Sequence, residues 1–176
     1  MLKLLLPKLY LSSAYALPID DLKRRGIKVL ICDVDNTLLP HHQLHMNDKM
    51  RLFLSKLKQA NIQVVFASNN TATRLEHIAK EANVDTFSFS CKPFPFVFNK
   101  IKKEYLVHGH EIAIMGDQLF TDVLGGNLQG SLSILCEPIE KKDLFYTIPF
   151  RIVENVVFHY FDKKGYMKKG EYYETM

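Results

Sequence analysis

The sequence contains no tryptophan, only three cysteines, and no apolar run of the roughly 20 residues that a membrane-spanning helix needs. Cys32, Cys91 and Cys136 are odd in number and lack Cys-x-x-Cys spacing, which argues against a disulfide framework. The seven histidines are not spaced with thiols as zinc ligands would be, so the sequence predicts no zinc site. This cysteine usage is typical of a reducing compartment, and we expect a cytoplasmic protein.

The sequence also lacks a strong excess of positive or negative charge. Lysine and arginine number 23 against 19 aspartates and glutamates, for a formal net charge of +4. No basic stripe is interleaved with aromatics, so we expect no nucleic-acid partner. Repeats and low-complexity tracts are missing. The length and the 47% hydrophobic content predict one domain over residues 1–176, with a core at about 28–136, an N-terminal segment at 1–27 and a C-terminal helix and tail at 137–176.

Short apolar runs alternate with segments of helical periodicity along the middle of the chain. Five runs have the length and composition of buried strands: residues 29–32, 62–67, 85–89, 111–115 and 131–136. Helices are predicted between and after them: at about 47–61, 71–82, 95–103, 119–130 and 149–161. Strands that alternate with helices predict an α/β fold with a mainly parallel sheet and right-handed crossovers.

The N-terminal segment has leucines at helical spacing, interrupted by Pro7. Two placements of residues 1–16 are open: a peripheral contact with a membrane surface, and packing on the domain's own core. A secretory signal is disfavoured because Pro7 and Lys8 break up the apolar stretch.

The C-terminal region is predicted to contain one helix followed by a tail. The helix at about 149–161 is expected to bury the apolar residues that recur along it: Ile152, Val153, Val156 and Tyr160. No structure is predicted for residues 162–176.

Polar side chains follow four of the predicted strands. In chain order they are Asp33 and Asp35, then Ser68, then Lys92, then Asp117 with Asp122. Because the carboxyl ends of parallel strands meet at one edge of a sheet, we expect these side chains to lie together. Like charges held that close need a cation, a shared proton or open water.

Three carboxylates, a hydroxyl and an ammonium around one point suit a magnesium-bound phosphate. Mg²⁺ prefers hard oxygen ligands, and we expect Asp33 and Asp117 to bind it directly, with the backbone carbonyl of Asp35 as a third ligand. Asp33, at the strand end, can attack phosphorus to form an aspartyl-phosphate. Asp35 can donate a proton to the leaving oxygen and later accept one from water.

Further groups can bind the phosphate itself. Ser68, its neighbour Asn69 and Lys92 can contact the nonbridging oxygens, and Lys92 can compensate the charge that accumulates during transfer. The backbone N–H groups after Asp33, beginning at Val34, can add donors. Asp122 is expected to orient either a metal-bound water or Lys92.

Each of these residues, taken singly, also has a purely structural explanation. Ser68 can cap a helix, Lys92 can be a surface lysine, Asp117 can belong to a turn, and Asp122 can be a first-turn carboxylate favoured by the helix dipole. Their joint occurrence at successive strand ends favours the functional interpretation.

The motifs resemble those of the haloacid dehalogenase-like (HAD) hydrolases. Asp-Val-Asp-Asn-Thr-Leu at 33–38, Ser68, Lys92-Pro93 and Gly-Asp-Gln-Leu-Phe-Thr-Asp at 116–122 match the four family motifs in order and spacing. The run at 116–127 resembles the subfamily IIIA, YqeG-type branch, which is similar to mitochondrial phosphatidylglycerophosphate phosphatases. The resemblance implies a Rossmann-like three-layer α/β/α sandwich, Mg²⁺ dependence and phosphatase activity, with Asp33 as nucleophile and Asp35 as acid/base.

Cap modules of that superfamily are inserted after the first motif or between the second and third. Residues 40–63 and 71–91 are each filled by one helix and a strand, so no large cap domain is expected. An uncapped edge favours a phosphate on something bulky, such as phosphatidylglycerophosphate, and an oligomer could supply a lid in trans. The alternative is a binding or regulatory protein with this fold that serves an assembly partner with little or no turnover.

Overall fold

A parallel sheet forms the centre of the structure. The computed structural model describes residues 2–69, 72–88, 90–140 and 148–173. Within these residues the sheet has six strands, in the spatial order β1 (Leu9–Leu11), β6 (Leu132–Cys136), β5 (Ile112–Gly116), β2 (Val29–Cys32), β3 (Gln63–Ala67) and β4 (Asp85–Phe87). Every neighbouring pair is parallel.

Helices cover both faces of the sheet, which confirms the predicted Rossmann-like α/β architecture. Their bounds are α1 (Ile19–Arg24), α2 (Asp48–Gln59), α3 (Ala72–Ala82), α4 (Phe96–Glu104), α5 (Leu124–Leu128) and α6 (Ile148–Lys163). Short 3-10 turns lie at Leu2–Leu5, Ala14–Ala16 and Gly109–Glu111, and a π-helical turn at Leu119–Val123 leads into α5. The predicted strand at 85–89 ends at Phe87, and Phe89 and Thr71 lie outside the described residues.

The alternation of side chains along the central strands divides the core in two. In β2, Leu30 and Cys32 pack with the helices α1, α2 and α3, whereas Val29 and Ile31 face α4 on the opposite side. Both faces are apolar because a central parallel strand is buried on both sides. The strand therefore holds its carboxyl end, where Asp33 follows, in a rigid position.

The N-terminal segment contributes a strand to the sheet in addition to short helical turns and α1. Leu9 and Leu11 are fully buried, and β1 pairs with β6 at the sheet edge. Leu5 is buried as well, so of the two placements left open for residues 1–16, packing on the domain's own core is the one that the structure shows. The prediction missed β1 because a three-residue strand buried on both sides has no alternating polar positions.

The tail folds back on this edge strand, where no structure was predicted. Tyr173 forms an antiparallel bridge with Tyr10, with both backbone hydrogen bonds made, at 3.0 and 2.9 Å. Met167 is buried in the same region. An unpaired edge strand can pair with other chains, and the tail shields β1 from such contacts at this position.

The predicted inner face of α6 is wrong. Ile152, Val153, Val156 and Tyr160 are exposed, whereas Glu154, Val157 and Phe161 are buried. The buried side of α6 includes Glu154, and hydrophobic patterning places a glutamate on the surface. The pattern therefore assigned the opposite side of the helix to the core. Among the described residues no helix combines the length and apolar content that crossing a bilayer requires.

The packing of the N-terminal strand can be tested by paired truncations. We expect Leu9→Ala to lower the free energy of unfolding by about 2–5 kcal/mol, because it removes a buried side chain and leaves a cavity. Leu2, which is 44% exposed, serves as the control, and Leu2→Ala should change stability by about 0.5 kcal/mol or less. Urea denaturation measures both, and equal effects would contradict the core position of β1.

Candidate active site

Lys92 lies at the centre of the candidate site. Its Nζ donates hydrogen bonds to Asp33 Oδ1 at 2.9 Å, to Asp122 Oδ1 at 2.7 Å and to the backbone carbonyl of Ala67 at 2.8 Å. The side chain is only 1% exposed. Burial lowers the pKa of Lys92, but the carboxylates of Asp122 and Asp33 raise it further, so its pKa lies above the usual range and the ammonium stays charged.

Asp33 continues the backbone pairing of β2, since its N–H donates to the carbonyl of Met115 at 2.9 Å. Burial raises the pKa of its carboxyl well above the usual range; Lys92 opposes this shift, and the charges of Asp122, Asp117 and Asp35 add to it. Among the described residues, Asp33 Oδ2 accepts no hydrogen bond, so one oxygen of this carboxylate is not committed to the protein.

Asp35 is held by groups from two further segments. Its Oδ2 accepts from the Ser68 hydroxyl at 3.2 Å, and its Oδ1 is paired with Arg74 and lies 3.6 Å from Nδ1 of His41. Arg74 also donates to the carbonyls of Pro40 and Gln43. The structure thus brings Ser68 to Asp35, as predicted.

Asp117 follows the last residue of β5. One carboxylate oxygen accepts from the Thr37 hydroxyl at 3.4 Å, and the other is paired with Arg151, which also donates to the Asp117 carbonyl at 2.7 Å. Burial raises the pKa of Asp117 to about 6, with Arg151 opposing the shift and Asp122 adding to it. Arg151 is oriented in turn by the buried Glu154, at 2.9 Å.

Asp122 contacts protein groups through both oxygens. Oδ1 accepts from Lys92, and Oδ2 accepts from the Gln118 N–H at 3.3 Å and the Thr121 hydroxyl at 3.1 Å. Asp122 was predicted to orient either a metal-bound water or Lys92, and its hydrogen bond from Lys92 fits the second role. The Asp122 carboxylate lies over the Cα of Gly116, where a Cβ would come within 2.1 Å of Asp122 Cγ.

Asn69 holds the Lys92 segment in place. Its Nδ2 donates to the Lys92 carbonyl at 2.9 Å, and its Oδ1 accepts from the Lys92 N–H at 2.9 Å and the Ser90 hydroxyl at 2.8 Å. The side chain of Asn69 is thus bonded to the Lys92 segment, and its contact with phosphate stays a prediction. Val34 is fully buried, so only its backbone amide is available for the predicted role.

Asn36 joins the aspartate loop to the segment after β6. Its φ of 62° lies in the left-handed region, which asparagine tolerates. Its side chain exchanges two hydrogen bonds with the backbone of Glu140, at 2.8 and 2.9 Å, and its carbonyl accepts from Ile139. These bonds fix the turn that places Asp35 beside Asp33.

The donor set fits a hard divalent cation. Asp33 and Asp117 come just after neighbouring parallel strands, paired up to Cys32 and Met115, and both carboxyls are buried. Carboxylate oxygens are the ligands that Mg²⁺ prefers. Burial chiefly, and the charges of Asp122, Asp117 and Asp35 in addition, raise the pKa of Asp33, and a bound cation would stabilise the charged carboxylate.

Sequence reasoning missed two arginines of the site. Arg74 pairs with Asp35, and Arg151 pairs with Asp117. Both stand in or near the first turn of a helix, α3 and α6 respectively, where the helix dipole disfavours a cation. A basic residue near a helix N-terminus suggests that a nearby acidic group compensates its charge, and both arginines could have been noted in the sequence for this reason.

Comparisons with known proteins identify a phosphatase family and agree with the fold. A family model described as mitochondrial PGP phosphatase matches residues 2–140. The probable phosphatase YqeG of Bacillus subtilis is 28% identical over 169 residues, which cover 96% of this chain and 98% of that protein. The chloroplastic/mitochondrial phosphatidylglycerophosphate phosphatase 1 of Arabidopsis thaliana is 25% identical over 131 residues, 69% of this chain and 38% of that protein.

Among solved structures, the cobalt-bound deoxy-D-mannose-octulosonate 8-phosphate phosphatase of Haemophilus influenzae aligns with a TM-score of 0.52 and 17% identity, over 78% of this chain and 90% of that one. At this identity the likeness is one of fold. Together with the family match, it confirms the predicted resemblance to HAD-like phosphatases.

The close approach of Asp122 to Gly116 can be tested by a double-mutant cycle. Gly116→Ala should lower the free energy of unfolding by about 1–3 kcal/mol, because the added methyl group displaces a buried carboxylate. In an Asp122→Ala background the same change should cost about 0.5 kcal/mol or less, because the clash is gone. Denaturant unfolding of the four proteins gives the coupling energy, and additive effects would contradict the contact.

Proposed function

The chain belongs to the mitochondrial PGP phosphatase family, and on this premise we propose that it is a Mg²⁺-dependent phosphomonoester hydrolase that works through an aspartyl-phosphate. The phosphatase class follows from the family match and the YqeG relative. The observation that supports the mechanism best is the buried ammonium of Lys92 between Asp33 and Asp122. It places a fixed positive charge beside the carboxylate that would carry the phosphoryl group.

In the proposed first step, a carboxylate oxygen of Asp33 attacks phosphorus, and the bond from phosphorus to the leaving oxygen breaks. Asp35 gives its proton to that oxygen, so the alcohol departs neutral. In the second step Asp35 accepts a proton from water, which attacks the phosphorus of the Asp33 acyl phosphate. Inorganic phosphate leaves, and the Asp33 carboxylate is restored.

The remaining residues would bind and orient the phosphate. The Ser68 hydroxyl and the backbone amide of Val34 are proposed to donate to its nonbridging oxygens, with Lys92 compensating charge. Asp33, Asp117 and the carbonyl of Asp35 would hold Mg²⁺, which when bound neutralises phosphate charge. Asp122 and Asn69 keep Lys92 in place, from its ammonium and its backbone respectively.

We propose a lipid phosphate of the phosphatidylglycerophosphate type as substrate. Two observations support it: the description of the family, and the Arabidopsis relative, which is a phosphatidylglycerophosphate phosphatase. The segment from Thr37 to α2 is a loop within the described residues, and the polar edge has no separate domain over it there. A large substrate held partly outside the protein suits such an open edge.

The exposed face of α6 supports an apolar partner beside this edge. Ile152, Val153, Val156 and Tyr160 are 60%, 51%, 65% and 38% exposed, and all lie along one side of the helix. Lys163 and Lys164 stand at its C-terminal end. An apolar stripe with lysines at its end suits the surface of an anionic membrane.

The N-terminal end of α6 is close to the chemistry, because Arg151, one residue before Ile152, contacts Asp117. We therefore propose that α6, and not residues 1–16, for which membrane contact was one of two open placements, contacts the membrane at its cytoplasmic face. A cavity of about 400 Å³ between α6 and the end of β6 includes Asp117 and Arg151 among its lining residues. It offers room for the polar part of a lipid headgroup next to the site.

Replacing the proposed nucleophile tests the mechanism. Asp33→Asn keeps the size of the side chain but removes the attacking oxygen, so release of phosphate from p-nitrophenyl phosphate with Mg²⁺ should fall by about 1,000-fold or more. Asp20→Asn, at an exposed position on α1, is the matched control and should keep wild-type turnover. Circular dichroism verifies the fold of both variants. Turnover of Asp33→Asn within about tenfold of wild type would rule out this nucleophile.

Loss of the apolar face tests the membrane proposal. The Ile152→Ser/Val156→Ser double variant should lower turnover of phosphatidylglycerophosphate in anionic phosphatidylglycerol vesicles at least about tenfold. A tenfold loss of membrane affinity corresponds to about 1.4 kcal/mol, and insertion of even one of these apolar side chains into the membrane should contribute more than that. Its turnover of p-nitrophenyl phosphate should not change.

The matched control is Leu52→Ser/Leu128→Ser, which alters two leucines that are 58% and 52% exposed on other helices. This control should act normally on both substrates. A normal vesicle rate for the α6 variant would refute the docking face, whereas activity of wild type on the soluble ester alone would refute the lipid substrate.

A further inference from the structure

Two histidines and a glutamate, none of them a predicted catalytic residue, converge beside α3. His45 lies in the loop after the aspartate motif, and His77 and Glu81 are one turn apart on α3. The Nδ1 atom of His45 is 3.4 Å from Nε2 of His77 and 3.4 Å from Oε2 of Glu81. All three atoms lie within 4.8 Å of one another.

The two separations that involve His45 match the edges of a metal coordination polyhedron. In a tetrahedral zinc site, bonds of about 2.0–2.1 Å place neighbouring donor atoms about 3.3 Å apart. A separation of 3.4 Å between two ring nitrogens is long for a hydrogen bond. The two imidazole rings meet edge to face, at 78° with centroids 5.0 Å apart, which brings one ring nitrogen of each to the same side as the Glu81 carboxylate.

We propose that His45, His77 and Glu81 bind a zinc ion, with a fourth coordination position open to solvent. Two histidines and one glutamate form a donor set that zinc accepts, and nitrogen donors disfavour Mg²⁺ and Ca²⁺. The sequence predicted no zinc site because only thiol-based spacings were considered. His45 and His77 are far apart in the chain, and the third ligand is a carboxylate.

The glutamate is held ready for this role. Its Oε2 accepts a hydrogen bond from the Met46 backbone N–H, at 3.2 Å. Arg51, on α2, pairs with the other oxygen of the carboxylate. Metal ligands need to be deprotonated, and partners that orient a ligating carboxylate strengthen a site.

The ion would connect the loop that follows Asp35 to α3. Arg74, one turn before His77 on α3, already donates to the carbonyls of Pro40 and Gln43 in that loop and pairs with Asp35. A zinc ion on His45 and His77 adds a second link between the same two segments. Zinc binding should therefore stabilise the folded chain, because the ligands come together only on folding.

The test measures zinc binding to the full, untagged chain, with excess Mg²⁺ present to occupy the carboxylate edge. Wild type should bind zinc in calorimetry, melt at a higher temperature when zinc is added, and bind Co²⁺ with the absorption of a tetrahedral site. His45→Ala/His77→Ala should lose one bound equivalent and the thermal shift. Glu81→Gln should weaken binding by more than the roughly 10–100-fold that loss of a supporting partner costs.

A matched control removes two other histidines. His108 and His110 are exposed, with rings stacked 5.7 Å apart, and His108→Ala/His110→Ala should bind zinc as wild type does. Asp117→Asn should also retain the equivalent, which separates this site from the catalytic edge. Equal zinc binding by wild type and His45→Ala/His77→Ala, or loss of the equivalent in either control, would overturn the proposal.

Discussion

The ammonium of Lys92 connects three parts of the sheet edge that are distant in the chain. It bonds to Asp33 after β2, to the Ala67 carbonyl at the end of β3, and to Asp122 beyond β5. A buried charge is costly unless its hydrogen bonds and counter-charges are complete, and here all three donors of the ammonium are used. The geometry of the site therefore depends on this one ammonium group. Its three hydrogen bonds can form only if β2, β3 and β5 end close to one another at this edge of the sheet.

The groups around Lys92 fix its backbone and its ammonium in position. Asn69 holds its backbone from one side, through both ends of its amide. Asp122 holds the ammonium from the other side, and its carboxylate fits only because Gly116 has no side chain. A rigid support is what a catalytic cation requires, because a charge that is already positioned needs no reorganisation when charge develops on the phosphate.

The central strands and the strand-end residues were predictable, because a buried parallel strand such as Val29–Cys32 is apolar on both faces and Asp33 interrupts it abruptly. The edge strand Leu9–Leu11 was not, since its partner β6 is more than 120 residues away and three residues carry too little pattern. The orientation of α6 failed for a different reason: Glu154 is buried because it binds Arg151 and the Leu119 N–H, and hydrophobicity alone cannot anticipate a buried charge with such partners.

Each proposed reactive carboxylate has its own cation: Asp33 has Lys92, Asp35 has Arg74, and Asp117 has Arg151. The two arginines occupy positions near helix N-termini that the helix dipole disfavours, so the carboxylates determine where they lie. Without these cations the acidic edge would repel a phosphate dianion before any contact formed. With them, and with the proposed divalent ion on Asp33 and Asp117, the repulsion of an anion would be offset, although the residues proposed to react are themselves acids.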